Sequence, residues 1–381
     1  MKKFVAVVLA IAMCLVCLTA CGSKGAADSS TLIIGGIGPM TGDYANYGTS
    51  VRNGAQLAAK EINAAGGVNG MTFDVRYEDS VADPDSAVNA YGKLMDNGMA
   101  LSLGGVLSGE TASIVAAAKD DGIVILTPSA SADAVLEGSD TAFRVCFADS
   151  SQGLAAADFI DANNLTTKVA VFYQSDLDYS VGLYKAFTAE CEACGIEIVE
   201  VQTFTTDTST DFSTQINAIR DSGVDMIFIP IYAAEASVLL TQASGKLDGK
   251  YFFGCDGLDG ILTKMSDPKQ AENVMILTPF AADSTDANVQ AFVAAYEKDY
   301  GATPDQFAAD GYDGVYAFKA AVEKAGITAA DDPDLNAKIL AAMLEITVEG
   351  VTGTMSWQAS GECSKPAKVM IIRDGVAVPF N

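Results

Sequence analysis

The most informative absence in this 381-residue chain is histidine, which does not occur at all. Without histidine there can be no Ser-His-Asp or Cys-His catalysis and no metal site built on imidazole. No Gly-Lys-Ser or Gly-Lys-Thr phosphate loop occurs either. Carboxylates, lysine or tyrosine can still support catalysis, but an enzyme is the least favoured class, and no cofactor or metal is expected.

Basic residues are also scarce. There are 23 lysines and arginines against 49 aspartates and glutamates, and the formal net charge is −26. A surface this acidic repels phosphate backbones and anionic lipid headgroups. Nucleic acid binding, and membrane binding through a basic patch, are therefore excluded.

The chain has eight cysteines, of which three lie within the first 21 residues. The others are Cys146, Cys191, Cys194, Cys255 and Cys363. This odd remainder cannot pair completely within one chain. Cys191 and Cys194 form a Cys-x-x-Cys sequence at the predicted end of a helix, without a second ligand pair for zinc. We interpret them as structural, with a local disulfide or redox role as the alternative.

The N-terminus reads as a targeting segment. Lys2 and Lys3 precede an apolar run, Phe4 to Val16, which is too short to span a membrane as an ordinary helix. The sequence Leu-Thr-Ala-Cys ending at Cys21 resembles a bacterial lipobox, in which the cysteine becomes lipidated. We predict a signal peptide over 1–20 and a small, polar tether over 21–30, with an ordinary signal peptide or a retained anchor as alternatives. The protein would then work at the outer face of the cell membrane.

From residue 31 onward, short apolar runs alternate with segments of helical periodicity. Strands of this kind, without polar alternation, are typical of parallel sheets covered by helices on both faces. The fold class predicted is therefore α/β. Three helices in succession are predicted after Pro279, over 287–300, 307–325 and 333–344, followed by strands at 354–357 and 368–372.

Several polar or glycine-rich sequences follow predicted strands. Gly36 to Gly42 lacks the third glycine of a dinucleotide fingerprint, because Thr41 stands in its place. Ser108, in Leu-Ser-Gly-Glu-Thr, precedes a helix, where hydroxyls and free amides can hold a carboxylate or simply cap the helix. Ser129 and Ser131 follow the next strand, and the carboxyl ends of parallel strands share one edge of the sheet. The two serine-containing loops are therefore expected to be neighbours.

Asp256, in Gly-Cys-Asp-Gly, also follows a predicted strand. It is interpreted either as a surface-turn residue or, if it faces the serines across a cleft, as a receptor for a cation. Asp259, three residues later, is expected to be solvated. No lysine or arginine lies in any of these sequences, so a ligand with an acidic side chain would lack a partner.

Taken together and in order, GPMTGDYANYG, NGAQLAAKEINAAGGVNG, DPDSAVNAYGKLMDNG, LGGVLSGETA, ILTPSAS and FRVCFADSSQG resemble the leucine/isoleucine/valine-binding family of ABC-transporter solute-binding proteins. The resemblance covers nearly everything from Thr31 onward. It implies a periplasmic-binding-protein type I fold with two Rossmann-like lobes, parallel sheets and three inter-lobe crossings. The implied lobes are 31–148 plus 279–364, and 149–278 plus 365–381.

The resemblance also implies a ligand site. Ser108 and Ser131 match positions that hold an amino acid's carboxylate and ammonium, and Ser129 matches one that offers a carbonyl to the ammonium. Asp256 matches an acidic partner of the ammonium, where glutamate is usual, and Asp149 matches a position at the first crossing. Three tyrosines match aromatic positions around the ligand side chain: Tyr47, Tyr179 and Tyr232.

The implied function is capture of a free amino acid with a branched-chain or other neutral side chain and its delivery to the membrane subunits of an ABC permease. The protein would be a monomer that touches the membrane only through its lipid anchor. Two alternatives remain open: a sensory ligand-binding receptor of the same fold, and a family member that binds an amide or urea.

Overall fold

The structure is a computed structural model that describes residues 29–365 and 367–380. The predicted signal peptide, Cys21 and the tether up to residue 28 lie outside the described residues. Within those ranges, none of the helices combines the length and the apolar character that a membrane crossing requires.

Strands and helices alternate through most of the chain. The strands are β1 (Thr31–Gly38), β2 (Thr72–Asp79), β3 (Leu101–Ser102), β4 (Ile125–Thr127), β5 (Ala142–Arg144), β6 (Lys168–Gln174), β7 (Glu197–Phe204), β8 (Met226–Phe228), β9 (Tyr251–Gly254), β10 (Val274–Thr278), β11 (Thr347–Gly350), β12 (Gly353–Ser356), β13 (Lys368–Arg373) and β14 (Val376–Pro379). The helices are α1 (Ala45–Ala64), α2 (Pro84–Asp96), α3 (Ser108–Ala117), α4 (Asp149–Ala162), α5 (Asp178–Cys194), α6 (Ser213–Ser222), α7 (Ala233–Ala243), α8 (Ala287–Tyr300), α9 (Gln306–Ala325) and α10 (Leu335–Met343).

The first sheet contains β1 to β5 in the order β2-β1-β3-β4-β5, and every neighbouring pair in it is parallel. Helices α1, α2 and α3 connect β1 to β4, as the alternation of apolar runs and helical segments predicts, and a loop with a short 3-10 turn connects β4 to β5. All its strands therefore end at the same edge, and the loops that carry Ser108, Ser129 and Ser131 start from that edge.

The second sheet has the order β14-β13-β10-β9-β8-β6-β7. It is parallel from β10 to β7, but β13 pairs antiparallel with β10, and β14 pairs antiparallel with β13. The sequence did not predict this antiparallel edge. The two-residue turn Asp374–Gly375, where both residues have positive φ (52° and 77°), favours the tight hairpin that joins β13 to β14.

The two sheets define two lobes. Lobe 1 is the first sheet with α1 to α3; α8, α9, α10 and the β11–β12 hairpin pack on the same core. Lobe 2 is the second sheet with α4 to α7. The chain passes between the lobes after β5, after β10 and after β12, so there are three crossings. The residue bounds given above for the lobes stay predictions.

Two glycines let α1 and α9 approach closely in lobe 1. A Cβ atom at Gly54 would lie 1.8 Å from the carbonyl oxygen of Ala308, and one at Gly311 would lie 2.3 Å from that of Val51. Any larger side chain at these two positions would push the helices apart. This contact joins the beginning of lobe 1 to a helix that follows the lobe 2 strands up to β10.

A buried ion pair lies at the third crossing. Lys365 Nζ is 3.0 Å from Asp310 Oδ1, and both side chains are fully buried. Lys365 also donates to Thr352 Oγ1, and Asp313 accepts hydrogen bonds from the amides of Val351 and Thr352, each at 2.9 Å. The segment that leaves lobe 1 for β13 is thereby fixed to α9.

Candidate functional site

The loops that follow β3 and β4 hold each other at the edge of the first sheet. Ser129 Oγ donates to the carbonyl of Val106 (2.9 Å), and the amide of Ala132 donates to Ser108 Oγ (3.1 Å). Ser108 is the first residue of α3, where backbone amides lack helical partners. The predicted neighbouring position of the two loops is therefore present in the structure.

Glu110 fixes the loop before Ser108. Its Oε1 accepts hydrogen bonds from the amides of Val106 (3.1 Å) and Leu107 (3.0 Å), and burial raises the pKa of its carboxyl group. This role of Glu110 was not predicted from the sequence. A glutamate three residues after the residue that precedes the helix is, however, a known signal for this type of helix start.

Arg144 organises the second serine loop. Its guanidinium is fully buried and donates to the carbonyls of Ala130, Ser131 and Ala132, and it lies 3.3 Å from Glu362. These contacts engage the cation with groups of the protein itself. They also fix the carbonyl groups next to the Ser131 hydroxyl.

Lobe 2 brings a carboxylate and two aromatic rings to the opposite side. Asp256 Oδ1 accepts from Tyr179 OH (2.9 Å) and from the amide of Gly257 (2.8 Å), and the Asp256 amide donates to Gln152 Oε1 (3.1 Å). The rings of Tyr179 and Tyr232 are stacked with centroids 4.6 Å apart. Asp256 is thus a buried and fixed group at the end of β9, and the surface-turn interpretation is wrong.

Tyr47 of lobe 1 reaches across to lobe 2. Its hydroxyl donates to the carbonyl of Gly257 (2.6 Å) and accepts from the amide of Ala233 (2.8 Å). The ring of Phe307 packs against it at 4.6 Å. Phe307 was not predicted, because an apolar residue in the first turn of a helix has no signal that separates it from an ordinary core residue.

These side chains enclose a cavity of about 10 Å³, which is about the space that one water molecule needs. Its walls are formed by Tyr47, Val106, Leu107, Ser129, Ser131, Tyr179, Tyr232, Asp256, Gly257 and Phe307. Every predicted site residue is among them except Ser108, which adjoins Leu107 and bonds the serine loop. Sites for small molecules usually measure about 300–1,000 Å³. The structure is therefore closed, and a ligand can enter only when the lobes separate.

A second buried carboxyl group, that of Asp149, lies near Asp256 but outside the cavity walls. Asp149, the first residue of α4, is fully buried, and within the described part of the chain neither of its carboxylate oxygens has a hydrogen-bond partner. Burial, with the nearby charge of Asp256 as a further cause, raises its pKa well above the ordinary value. Burial also raises the pKa of Asp256, to about 6. Two carboxyl groups thus lie together where a positive charge would be stabilised.

Asp259 is not solvated as predicted. Its Oδ2 accepts a hydrogen bond from the amide of Gln306 (2.8 Å) at the start of α9, and its Oδ1 accepts from the amide of Gly260 (2.9 Å). Burial raises the pKa of this carboxyl group. Asp259 therefore joins lobe 2 to lobe 1. Its partner, the amide of Gln306, is distant in the sequence, so this contact was not predicted.

The cysteines of the folded part are free thiols. Cys146, Cys191, Cys194, Cys255 and Cys363 form no disulfide among the described residues. Cys191 and Cys194 lie in the last turn of α5, as predicted, and Cys191 is buried.

Comparison with known proteins agrees with this geometry. A sequence model of the family described as "Periplasmic binding protein" matches residues 31–375. The Leu/Ile/Val-binding protein homolog 3 of Brucella melitensis is 28% identical over 337 residues, covering 88% of this chain and 89% of that protein. The resemblance seen in the sequence is thereby confirmed.

Solved structures give the same result. The branched-chain amino acid transporter substrate-binding protein LivJ of Streptococcus pneumoniae, in complex with isoleucine, is 30% identical with a TM-score of 0.83, covering 91% of this chain and 97% of that one. A solute-binding protein of R. palustris in complex with benzoate is 22% identical with a TM-score of 0.81, covering 92% and 95%, and shows the fold alone. This chain belongs to the periplasmic binding protein family.

Proposed function

We propose that this protein is an extracytoplasmic, lipid-anchored solute-binding protein that captures a free amino acid with a neutral side chain and delivers it to an ABC permease. The observation that carries the proposal is the pair of buried carboxyl groups, Asp149 and Asp256, at the closed cleft. Arg144, the cation fixed beside the serine loop, is already engaged with three carbonyls and Glu362. The ammonium group of a ligand supplies the missing positive charge.

The two walls of the cavity fit the two ends of a zwitterion. The Ser108 and Ser131 hydroxyls and the amides at the start of α3 suit the carboxylate, because a helix N-terminus favours an anion. Asp256, with Tyr179 bonded to it, suits the ammonium. Tyr47, Tyr232 and Phe307 form an aromatic wall that suits a branched or other uncharged side chain once the ring of Tyr47 moves aside.

A ligand that has only a carboxylate fits this site poorly. Benzoate is bound by a neighbour of the same fold, but here it would bring a negative charge next to Asp149 and Asp256 without an ammonium to offset them. A neutral amide or urea would leave both carboxyl groups without a cation. The charge of the site therefore favours an amino acid over either alternative.

The experiment is a thermal-unfolding screen of the purified protein against the twenty amino acids, short amides, urea and benzoate. A ligand at 100 times its Kd adds about 2.7 kcal/mol to the free energy of unfolding. We expect stabilisation by neutral amino acids, with branched-chain ones among them, and none by aspartate, glutamate or benzoate. Stabilisation by an amide, urea or benzoate alone would overturn the proposal. Mass spectrometry should show the bound amino acid unchanged, because no catalytic step is proposed.

The anchor is proposed from the sequence that ends at Cys21. Its lipid would hold the protein as a monomer at the outer face of the cell membrane, close to the permease. Replacement Cys21→Ala should move the protein from the membrane fraction to the soluble fraction, as measured by immunoblotting after fractionation at high salt. Retention of the variant in the membrane would contradict lipidation, and Cys194→Ala, a free thiol in lobe 2, serves as the control.

A further inference from the structure

A second contact between the lobes lies next to the cavity but outside its walls. Tyr44, the residue before α1 in lobe 1, donates its hydroxyl proton to Glu235 Oε1 at 2.6 Å. Glu235 is in the first turn of α7 in lobe 2 and is 8% exposed. Neither residue belongs to the walls of the cavity described above.

We propose that the Tyr44–Glu235 hydrogen bond is a latch that sets how strongly and how long the protein retains its ligand without touching the ligand. Both are positioning residues, because they act through the closed arrangement of the lobes. The inference rests on the proposed function, since retention matters only if the closed cleft holds a solute.

The surroundings of Tyr44 show that its position depends on lobe 2. Its ring packs edge-on against Tyr232 of lobe 2, with centroids 5.5 Å apart, and lies 6.4 Å from Tyr47. The carbonyl of the preceding residue, Asp43, accepts a hydrogen bond from Lys264 Nζ of lobe 2. One short segment of lobe 1 thus makes several contacts that exist only while the lobes are together.

The burial of Glu235 also opposes closure of the lobes. Glu235 Oε2 is buried, and within residues 29–365 and 367–380 it has no hydrogen-bond partner. Separation of the lobes would return this oxygen to water, so the desolvation of Glu235 opposes closure while the bond to Tyr44 favours it. Because these two effects oppose each other, the lobes can still open, and release of a ligand requires this opening.

The effect on binding follows from the closed population. When a ligand is held only by the closed form, the apparent Kd is the intrinsic Kd divided by the closed fraction. Removal of a bond that exists only in the closed form lowers this fraction and speeds release. The rate at which a ligand enters the open form stays nearly unchanged.

The test compares Tyr44→Phe with a matched control. Tyr91→Phe removes a bond of the same type, from Tyr91 OH to Asp121 Oδ2 at 2.7 Å, but both residues belong to lobe 1. With isoleucine as the probe in stopped-flow measurements, we expect Tyr44→Phe to speed dissociation about tenfold while association changes less than about twofold. Tyr91→Phe should leave both rates unchanged. Unchanged dissociation in Tyr44→Phe, or an equal change in Tyr91→Phe, would overturn the latch.

A double-mutant cycle and a measurement without ligand complete the test. Replacement Tyr44→Phe should have a smaller effect in a Glu235→Gln background, because the two residues are in direct contact. Small-angle X-ray scattering of the ligand-free protein should give a larger radius of gyration for Tyr44→Phe than for the wild type and for Tyr91→Phe. Equal radii would overturn the latch even if isoleucine proved not to bind, whereas failure of every amino acid to bind the wild type would overturn the proposed function instead.

Discussion

The two walls of the cleft differ in their chemistry. Lobe 1 contributes hydroxyl groups and helix-terminal amides around Ser108 and Ser131, with Arg144 already paired behind them. Lobe 2 contributes Asp256 together with the phenol groups of Tyr179 and Tyr232. One wall therefore suits an anion and the other a cation, so a zwitterion is held in one orientation and only when both walls meet.

A contact between the two walls, made by Tyr47, explains why the cavity is small. The hydroxyl of Tyr47 occupies the gap by bonding the carbonyl of Gly257 and the amide of Ala233 on the far wall. A ligand must displace or move this ring to reach both walls. Substitutions in either wall should therefore have different effects on the binding of a zwitterion.

The largest effect is expected from Asp256→Asn, which keeps the shape of the cationic wall but removes its charge. A charge-assisted hydrogen bond contributes about 1.5–3 kcal/mol, so the affinity for a neutral amino acid should fall about 10- to 100-fold. Titration calorimetry measures it. Asp211→Asn, an exposed aspartate of lobe 2 that caps Ser213, is the control and should bind normally. Equal affinities for wild type and Asp256→Asn would mean that the ligand carries no ammonium group.

Acid should weaken binding through the same residue. Burial raises the pKa of the Asp256 carboxyl group from 3.8 to about 6. Between these two pH values the closed, ligand-free protein keeps the proton on Asp256, whereas the unfolded chain has lost it. Through this group the free energy of unfolding of the ligand-free protein falls as the pH rises from about 4 to about 6. An ammonium ligand needs the ionised form, so its affinity should fall about tenfold between about pH 7 and about pH 5. Calorimetry at both pH values checks this, and Asp256→Asn should lose most of the dependence.

A smaller effect is expected from Asp149→Asn, because this carboxyl group lies beside Asp256 and makes no hydrogen bond of its own in the described structure. Loss of its charge should weaken amino acid binding about fivefold and should stabilise the ligand-free protein, since an unpaired buried acid is removed. Calorimetry and thermal unfolding measure the two effects. Stronger binding by the variant would show that the two carboxyl groups compete rather than cooperate for the ammonium.

The smallest effect is expected on the anionic wall. Ser131→Ala removes one neutral hydroxyl donor, and a net hydrogen bond of about 1 kcal/mol corresponds to a loss of about fivefold or less in affinity. Ser113→Ala, which removes a hydroxyl bonded to the carbonyl of Gly109 within α3, is the control. A larger loss in Ser131→Ala than in Asp256→Asn would reverse the assignment of the two walls.

Much of the fold could be predicted because its elements carry local signals. The helix over 287–300 was predicted with the bounds that the structure has, since an aspartate cap precedes it and Gly301 ends it. The strand predicted at 354–357 corresponds to β12, but β11 and β14 were not predicted, because four-residue strands have no distinctive periodicity. Both strands form within local hairpins: β11 pairs with β12, and β14 pairs with β13 across the turn at Asp374–Gly375.

The site was predictable where its residues follow strands and carry polar groups. Ser129, Ser131 and Asp256 meet that description, and the structure brings them into one cavity. Phe307 was missed, and so was Tyr44, although its spacing of three residues from Tyr47 places both on one face of the helix start. The expectation for Asp259 was wrong because its partner, the amide of Gln306, lies 47 residues further along the chain.

The close contact of α1 with α9 bears on the order in which the protein can be assembled. Synthesis completes the strands of lobe 1 early, but the helix that covers α1 at Gly54 and Gly311 is made only after all of the lobe 2 strands up to β10. Contacts so distant in sequence form late, because a long loop must close first. Until then the apolar face of α1 stays uncovered and lobe 2 still lacks β13 and β14, so the unfinished chain depends on protection from aggregation.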